Sequence, residues 1–198
     1  MGPAGSDNWH AMLDAAEAVL REEGHAALTS RSIAARIGVK QRLIYYYFAT
    51  MDELIIAMFQ RLSVRELARL ADAARGDLPL RRIWDVCMNT ADARLISEFT
   101  ALANRIEGLN AEVIHFIEAE RAIQVAALDA ALRRNPRASA LTPAALALFA
   151  NSLALSLTRE QQLGIRSGHA EAIEVVEAFL GAAEPRYVRA ERRQGRET

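Results

Sequence analysis

A glycine at position 38 separates two short helical patterns, and this break constrains residues 29–48, TSRSIAARIGVKQRLIYYYF, more tightly than any other stretch of the chain. Thr29 or Ser30 can accept the first free backbone N–H groups of a helix, and Ile33, Ala34 and Ile37 then recur at i, i+1 and i+4 as one apolar stripe. Gly38 follows where a helix needs a left-handed residue to end. Val39 restarts the apolar pattern, and Leu43, Ile44 and Phe48 continue it. Two turns, a glycine and two more turns make the helix-turn-helix layout, whose second helix enters the major groove of DNA by its N-terminal end. That layout places Lys40, Gln41 and Arg42 at the base edges.

The charge of this stretch fits such a partner. Arg31, Arg36, Lys40 and Arg42 stand against no acid, whereas the whole chain has a formal net charge of −1. Lys and Arg can donate to O6 and N7 of guanine and Gln can pair two-fold with adenine, each good pairing giving about 1–3 kcal/mol of discrimination. Tyr45, Tyr46 and Tyr47 add aromatic bodies with polar tips; one is expected to pack back while the others meet thymine methyls or phosphates. Spacing alone leaves a second reading open, a solvated basic helical hairpin, because a helix-turn-helix pattern without context is a weak signal.

Context comes from residues 12–59, which run from MLDAAEAVLREEGHAALTSRSIAARIGVKQ to RLIYYYFATMDELIIAMF. In order, the opening LDAAEAVLREEG, the TSRSIAARIGV helix and turn, the Tyr45-Tyr46 pair before Phe48, and the DELIIAM that follows resemble the N-terminal domain of the TetR (tetracycline-repressor-like) family of transcription regulators. Several positions depart from that family's usual pattern. The family often has Ser or Glu at Lys40, a small residue or Pro at Arg42, Thr or Ala at Leu43, His at Tyr47, and a phosphate-contacting Lys at Met51. These departures fall where bases and phosphates would be touched, so they put the operator sequence in question and leave the fold alone.

The rest of the chain reads as helices. Helix one is expected from Asp7 to Glu23, closed by Gly24, after a flexible arm at residues 1–6. Thr50 and Glu53 form a capping box that starts a long helix ending before Gly76-Asp77. Five more follow: from Pro79 to Asn89, Ala91 to Arg105, Leu109 to Arg134, Thr142-Pro143 to Leu163, and His169 to Leu180, with Asn135-Pro136-Arg137 as a break. The expected fold is all-α, about nine helices, with a three-helix DNA-binding domain at 1–49 and a helical ligand-binding and dimerisation domain at 50–183. Residues 184–198, rich in Arg, read as a solvated tail.

Composition narrows the class further. At 198 residues the chain is long enough for a substantial core, and although 52% of its residues are hydrophobic, no apolar run approaches the about 18 residues that a membrane span requires. The MGPAGSDN opening is small and polar, which predicts no secretory leader. Cys87 is the single cysteine, so no intrachain disulfide is expected and a reducing cytoplasm is the natural compartment. His10, His25, His115 and His169 are scattered, with no metal-ligand spacing, and no phosphate loop or nucleophile elbow is present. Neither a cofactor nor a catalytic activity is expected.

Two further sites are predicted in the C-terminal part. The stretch Ala144 to Leu157 is apolar almost all round, with Leu146, Phe149, Leu153 and Leu157 on one face, and Ile173, Val176, Phe179 and Leu180 form a second stripe; such helices need cover on more than one side. In the resembling family the two C-terminal helices of each subunit pack as a four-helix dimer interface, which this pattern fits. The middle helices carry Trp84, Met88, Phe99, Leu102, Asn104, Arg105, His115 and Phe116, an apolar set with a few polar groups, the general form of a ligand pocket. In that family a pocket among these helices binds an effector that changes DNA affinity. The expected partners are therefore double-stranded operator DNA bound through Thr29, Ser30, Arg31, Lys40, Gln41, Arg42 and Tyr45 to Tyr47, a second copy of the chain, and an apolar small molecule. The alternative is a dimeric helical ligand-binding module that has lost strong operator binding.

Overall fold

The structure, a computed structural model, describes residues 2–88 and 93–185. Among these residues it contains nine α-helices and no strand: α1 (Asp7–Glu23), α2 (Ser30–Arg36), α3 (Gln41–Tyr47), α4 (Met51–Ala74), α5 (Pro79–Met88), α6 (Ala93–Ala103), α7 (Glu107–Arg134), α8 (Pro143–Gln162) and α9 (His169–Ala183), with short 3₁₀ turns at His25–Ala27 and Pro136–Ala138. None of the described helices is long and apolar enough to cross a membrane.

Local chemistry sets most of these ends. Thr29 caps α2 by accepting from the Ser32 backbone N–H at 3.1 Å, while the Ser32 hydroxyl accepts from the Thr29 N–H at 3.0 Å, a reciprocal box that satisfies two orphan donors. Gly38 adopts φ 70° between α2 and α3, a conformation that glycine enters without the Cβ penalty of other residues. Thr50 caps α4 through the Glu53 N–H at 3.1 Å, and the Glu53 carboxylate reaches back to the Ala49 N–H at 2.7 Å, one residue earlier than the expected box. Thr142 and Pro143 start α8. The expected end of the last helix at Leu180 is exceeded, because α9 runs through Gly181 to Ala183.

The apolar residues gather into two cores. The first joins Met12, Leu13, Val19 and Leu20 of α1 with Ile33 and Ile44, the first half of α4 (Leu54, Ile55, Met58, Phe59, Leu62), and Leu95, Phe99, Leu102, Leu109, Val113 and Phe116 of α6 and α7. The second joins Leu70 and Ala73 of α4 with Leu80, Ile83 and Trp84 of α5, the later half of α7, and α8 and α9. The long helices α4 and α7 therefore run through both. Phe59 is the hub of the first, its ring edge-on to Phe99 at 5.1 Å and to Phe116 at 5.8 Å between centroids.

Charge reinforces both joints. Buried Glu17 on α1 receives Arg61 of α4 at 2.6 Å, and Arg61 also meets Asp14 at 2.8 Å. Arg65 approaches the same carboxylate at 3.6 Å, so two guanidinium groups offset the buried charge of Glu17. At the far end, the buried carboxylate of Glu184 accepts from the Leu80 N–H at 2.7 Å and the Arg81 N–H at 3.2 Å. A residue following α9 thus caps α5, whose first N–H groups carry the positive end of the helix dipole.

The N-terminal arm departs from expectation. Gly2 is buried and its N–H donates to the Tyr46 carbonyl at the end of α3 at 2.7 Å. An added Cβ there would lie 2.5 Å from Cε1 of Tyr47, so only glycine fits this approach. The solvated tail expected from residue 184 is corrected at its first residue, since Glu184 is buried and bound to α5; beyond Pro185 the tail falls outside the described residues.

Candidate nucleic-acid interface and apolar cavity

Two helices meeting across the Gly38 turn leave one polar, acid-free surface. Thr29, Arg31, Lys40, Gln41 and Arg42 are exposed, and Tyr45 and Tyr46 are 49% and 52% exposed. Lys40 is the N-cap residue of α3, so it sits with Gln41 and Arg42 at the positive end of that helix, where the backbone itself favours an anion. Arg36, counted in the local charge, turns the other way: it pairs with Glu22 of α1 and lies 3.6 Å from Glu23. The sequence pattern gave no means of separating it from the other three cations.

Tyr47 is the one of the three tyrosines that packs back, which removes it from the DNA-contacting set. It is 8% exposed, with Asn8 donating to its hydroxyl at 3.5 Å, and its ring meets that of Tyr46 edge-on. It holds α1 and the arm to α3 and has no surface to offer DNA. Ser30 is also buried, but its hydroxyl is bound from both sides, by Gln41 Nε2 at 2.7 Å and with Tyr45 Oη at 3.0 Å. Leu43 and Met51, two positions that depart from the resembling family, are half-buried against the first core. Their apolar character fits packing there.

A cavity of about 260 Å³ lies in the C-terminal part between α5, α7, α8 and α9. Its walls are apolar, with Leu80, Ile83 and Trp84 on one side and Leu146, Leu153, Val176 and Phe179 on the other. At its polar end Gln124 and Asn151 exchange two amide hydrogen bonds, Gln124 Nε2 donating at 2.7 Å and Asn151 Nδ2 at 2.9 Å. Gln124 also donates to Glu120 at 3.2 Å. Cys87 lines the same end, and burial together with the nearby Glu120 carboxylate pushes its thiol up to about 12. Burial likewise raises the Glu120 carboxyl, against the opposing charge of Arg121.

This is not the pocket the sequence predicted. Of the candidate ligand residues only Trp84 lines the cavity. Met88 packs on the second core beside it. Phe99, Leu102 and Phe116 are buried in the first core, where their size is better satisfied by Phe59 and its neighbours than by an open space. Asn104 and Arg105 are exposed in the turn between α6 and α7, and His115 is exposed on the solvent side of α7. Gln124 and Asn151 were missed. Their signal was a polar residue inside an apolar helical run, RAIQVAAL and LFANSLAL.

The dimer candidates divide in the same way. Phe149 is 59% exposed and Ile173 also faces out, and Leu148, Leu155 and Val175 are exposed as well; Phe149 and Val175 also line the mouth of the cavity. Leu146, Leu153, Val176 and Phe179 line the cavity half-buried. Leu157 and Leu180 correct the reading, since they are buried within the protomer in the second core. The sequence pattern assigns one stripe on each helix, all eight residues, to the dimer interface. The two helices instead divide their apolar surface between that core and the outside. Among the described residues, no three His, Cys, Asp or Glu side chains are grouped to hold a metal ion.

Residues 12–58 match the family described as "Bacterial regulatory proteins, tetR family". No curated protein matches the sequence. Solved structures share the fold over nearly the whole chain. A TetR transcription regulator from Haloarcula marismortui superposes with a TM-score of 0.74 at 19% identity, covering 89% of this chain and 97% of that one. A TetR/AcrR-family regulator from Thermobifida fusca gives 0.68 at 20% identity, covering 93% and 100%. A protein from Saccharomonospora viridis described as a transcriptional regulator, solved in complex with choline, gives 0.75 at 13% identity, covering 86% and 96%. The helix-turn-helix segment of this chain thus belongs to the tetR family of bacterial regulatory proteins, and the helices after it complete the fold of TetR-family regulators.

Proposed function

We propose that this chain is a homodimeric, cytoplasmic transcriptional repressor that reads a near-palindromic operator through α3 and releases it when a small, largely apolar effector binds. The observation that carries the reading is the exposed, acid-free surface formed by Thr29, Arg31, Lys40, Gln41, Arg42, Tyr45 and Tyr46. Cations there neutralise phosphates and the α3 N-terminus reaches base edges. The exposed apolar side chains on α8 and α9 support a second copy as partner, and two-fold symmetry in the protein implies a repeated half-site in the DNA. The cavity beside them supports an effector with an apolar body and one group able to hydrogen-bond the Gln124–Asn151 end. Its volume sits a little under the about 300 Å³ at which drug-sized sites begin, so a small molecule fits best. An effector that prefers the state with wrongly spaced reading helices shifts the population off DNA.

The test is selection of bound sequences from a random duplex pool, followed by binding of the winner at several salt concentrations. An enriched near-palindrome whose affinity falls steeply with salt is the expected result. No enrichment, together with small-molecule binding in the cavity, would instead favour a ligand-binding module without operator reading.

A further inference from the structure

Ser30 stands at the joint between α2 and α3 with a hydroxyl that helix capping does not require. Thr29 already caps α2 with Ser32 as its partner. The Ser30 hydroxyl instead lies 2.7 Å from Gln41 Nε2 and 3.0 Å from Tyr45 Oη, and Ser30 is buried while both partners reach the surface. We infer that Ser30 is a positioning residue for DNA reading, holding the Gln41 carboxamide ready for a base and directing the Tyr45 hydroxyl proton outward to a phosphate oxygen. The inference rests on the DNA-reading function proposed above.

The hydrogen bonds of the structure run in one direction. An amide nitrogen only donates, so the Ser30 oxygen accepts from Gln41 Nε2. Ser30 in turn gives its one proton to Tyr45 Oη at 3.0 Å. Tyr45 then keeps its own proton for a partner outside the protein. Facing a phosphate, which only accepts, this polarity is favourable and its reverse would set lone pairs against negative charge. Bonds in such a chain polarise and strengthen one another.

The same arrangement conditions the reader at its other end. One Gln41 N–H is taken by Ser30, which leaves the second N–H and the carbonyl oxygen, the donor and acceptor that match N7 and N6 of adenine. An exposed glutamine free of Ser30 would have to give up rotamer freedom on binding. Held by Ser30, it gives up less, so the hydroxyl contributes to recognition of a base it does not touch. Arg42 and Lys40 have no such support among the hydrogen bonds around Ser30, and their reading does not depend on it.

The probes are the duplex selected by the full chain, its single-base variants, and a scrambled duplex of the same length. Ser30→Ala and Gln41→Ala are expected to relax the same base position in each half-site and to weaken the selected duplex about tenfold; Gln41→Ala leaves the scrambled duplex nearly unchanged, while Ser30→Ala also weakens it modestly by releasing the Tyr45 hydroxyl. The double substitution is expected to discriminate the selected from the scrambled duplex no worse than Gln41→Ala alone. Tyr45→Phe is expected to weaken selected and scrambled duplexes alike. Unchanged base preferences in Ser30→Ala, or additive losses of discrimination in the double variant, overturn the inference while leaving operator reading intact. If Ser30→Ala does not fold by circular dichroism, the exposed pair decides: Gln41→Ala and Tyr45→Phe combined are expected to lose less than the product of their separate effects, and a full product overturns it. Failure of the unaltered chain to enrich any sequence overturns the function above and this relay with it.

Discussion

Replacing Phe59 by Ala tests whether the DNA-reading helices and the middle helices share one core. Phe59 is 1% exposed and touches two other rings edge-on, Phe99 at 5.1 Å and Phe116 at 5.8 Å. Truncating a fully buried Phe costs about 3–5 kcal/mol, and the two ring pairs account for about 0.5–1.5 kcal/mol each of that. For a chain of this length the loss corresponds to a fall of about 6–20 °C in melting temperature. Phe59→Leu keeps most of the volume and loses the ring geometry, so about 1–3 kcal/mol is expected. The assay is urea unfolding at fixed protein concentration, read by tryptophan fluorescence. The chain's two tryptophans report separately, Trp9 beside Phe48 in the first core's surround and Trp84 in the second core. With Trp84→Phe the signal comes from Trp9, and with Trp9→Phe from Trp84. If α4 and α7 bind both cores into one cooperative unit, Phe59→Ala moves both signals by the same amount. A cost under about 1 kcal/mol, or a shift seen by Trp9 alone, refutes the continuous-core reasoning.

Other outcomes follow from particular side chains. Tyr46→Ala is expected to leave stability within about 0.5 kcal/mol and weaken DNA binding, whereas Tyr47→Ala costs folding by about 3 kcal/mol; comparing thermal melts with duplex binding separates them. Cys87, with its thiol pushed up to about 12, is expected to resist alkylation by iodoacetamide at pH 8 in the folded protein and react fully in urea, because the thiolate is the nucleophile; rapid native labelling would contradict this. Glu120→Gln is expected to stabilise the protein at pH 7.5 against urea. The fold penalises the charged carboxyl, raising it above 4.5, so the advantage is present above the folded pKa, falls as pH drops through it, and is gone below 4.5, where folded and unfolded carboxyl are both neutral. A variant less stable than the parent at pH 7.5 would count against that sign.

Legibility in the sequence followed the range of the interaction. The caps at Thr29, Thr50 and Thr142, the left-handed turn at Gly38 and the helix start at Pro79 depend on three or four consecutive residues, and the structure places all of them as the pattern implies. The outward face of α3 was legible for the same reason. What could not be read was the choice between partners far away in the chain. Periodicity marks Phe99, Leu102 and Phe116 as apolar positions, but a cavity and a core have the same period, and partners distant in the chain, Phe59 among them, decide between the two. The inward turn of Leu157 and Leu180 and the capping of α5 by Glu184 are likewise settled by tertiary contacts. A glycine inside α9 reads as a stop from local propensity, and packing overrides it.

The sharing of α4 and α7 between two cores also bears on transplantation of the reading head. A chimera cut at residue 49, where the sequence alone places a domain border, would carry α1 to α3 away from Leu54, Ile55, Met58, Phe59 and Leu62, which cover them. It would also sever the Arg61 clasp on Glu17 and Asp14. Specificity can therefore be exchanged between proteins of this fold more safely by replacing surface residues of α2 and α3 in place than by joining halves. A graft of the whole head has to bring a matching first half of α4, and its seat on α6 and the start of α7 has to be rebuilt with it.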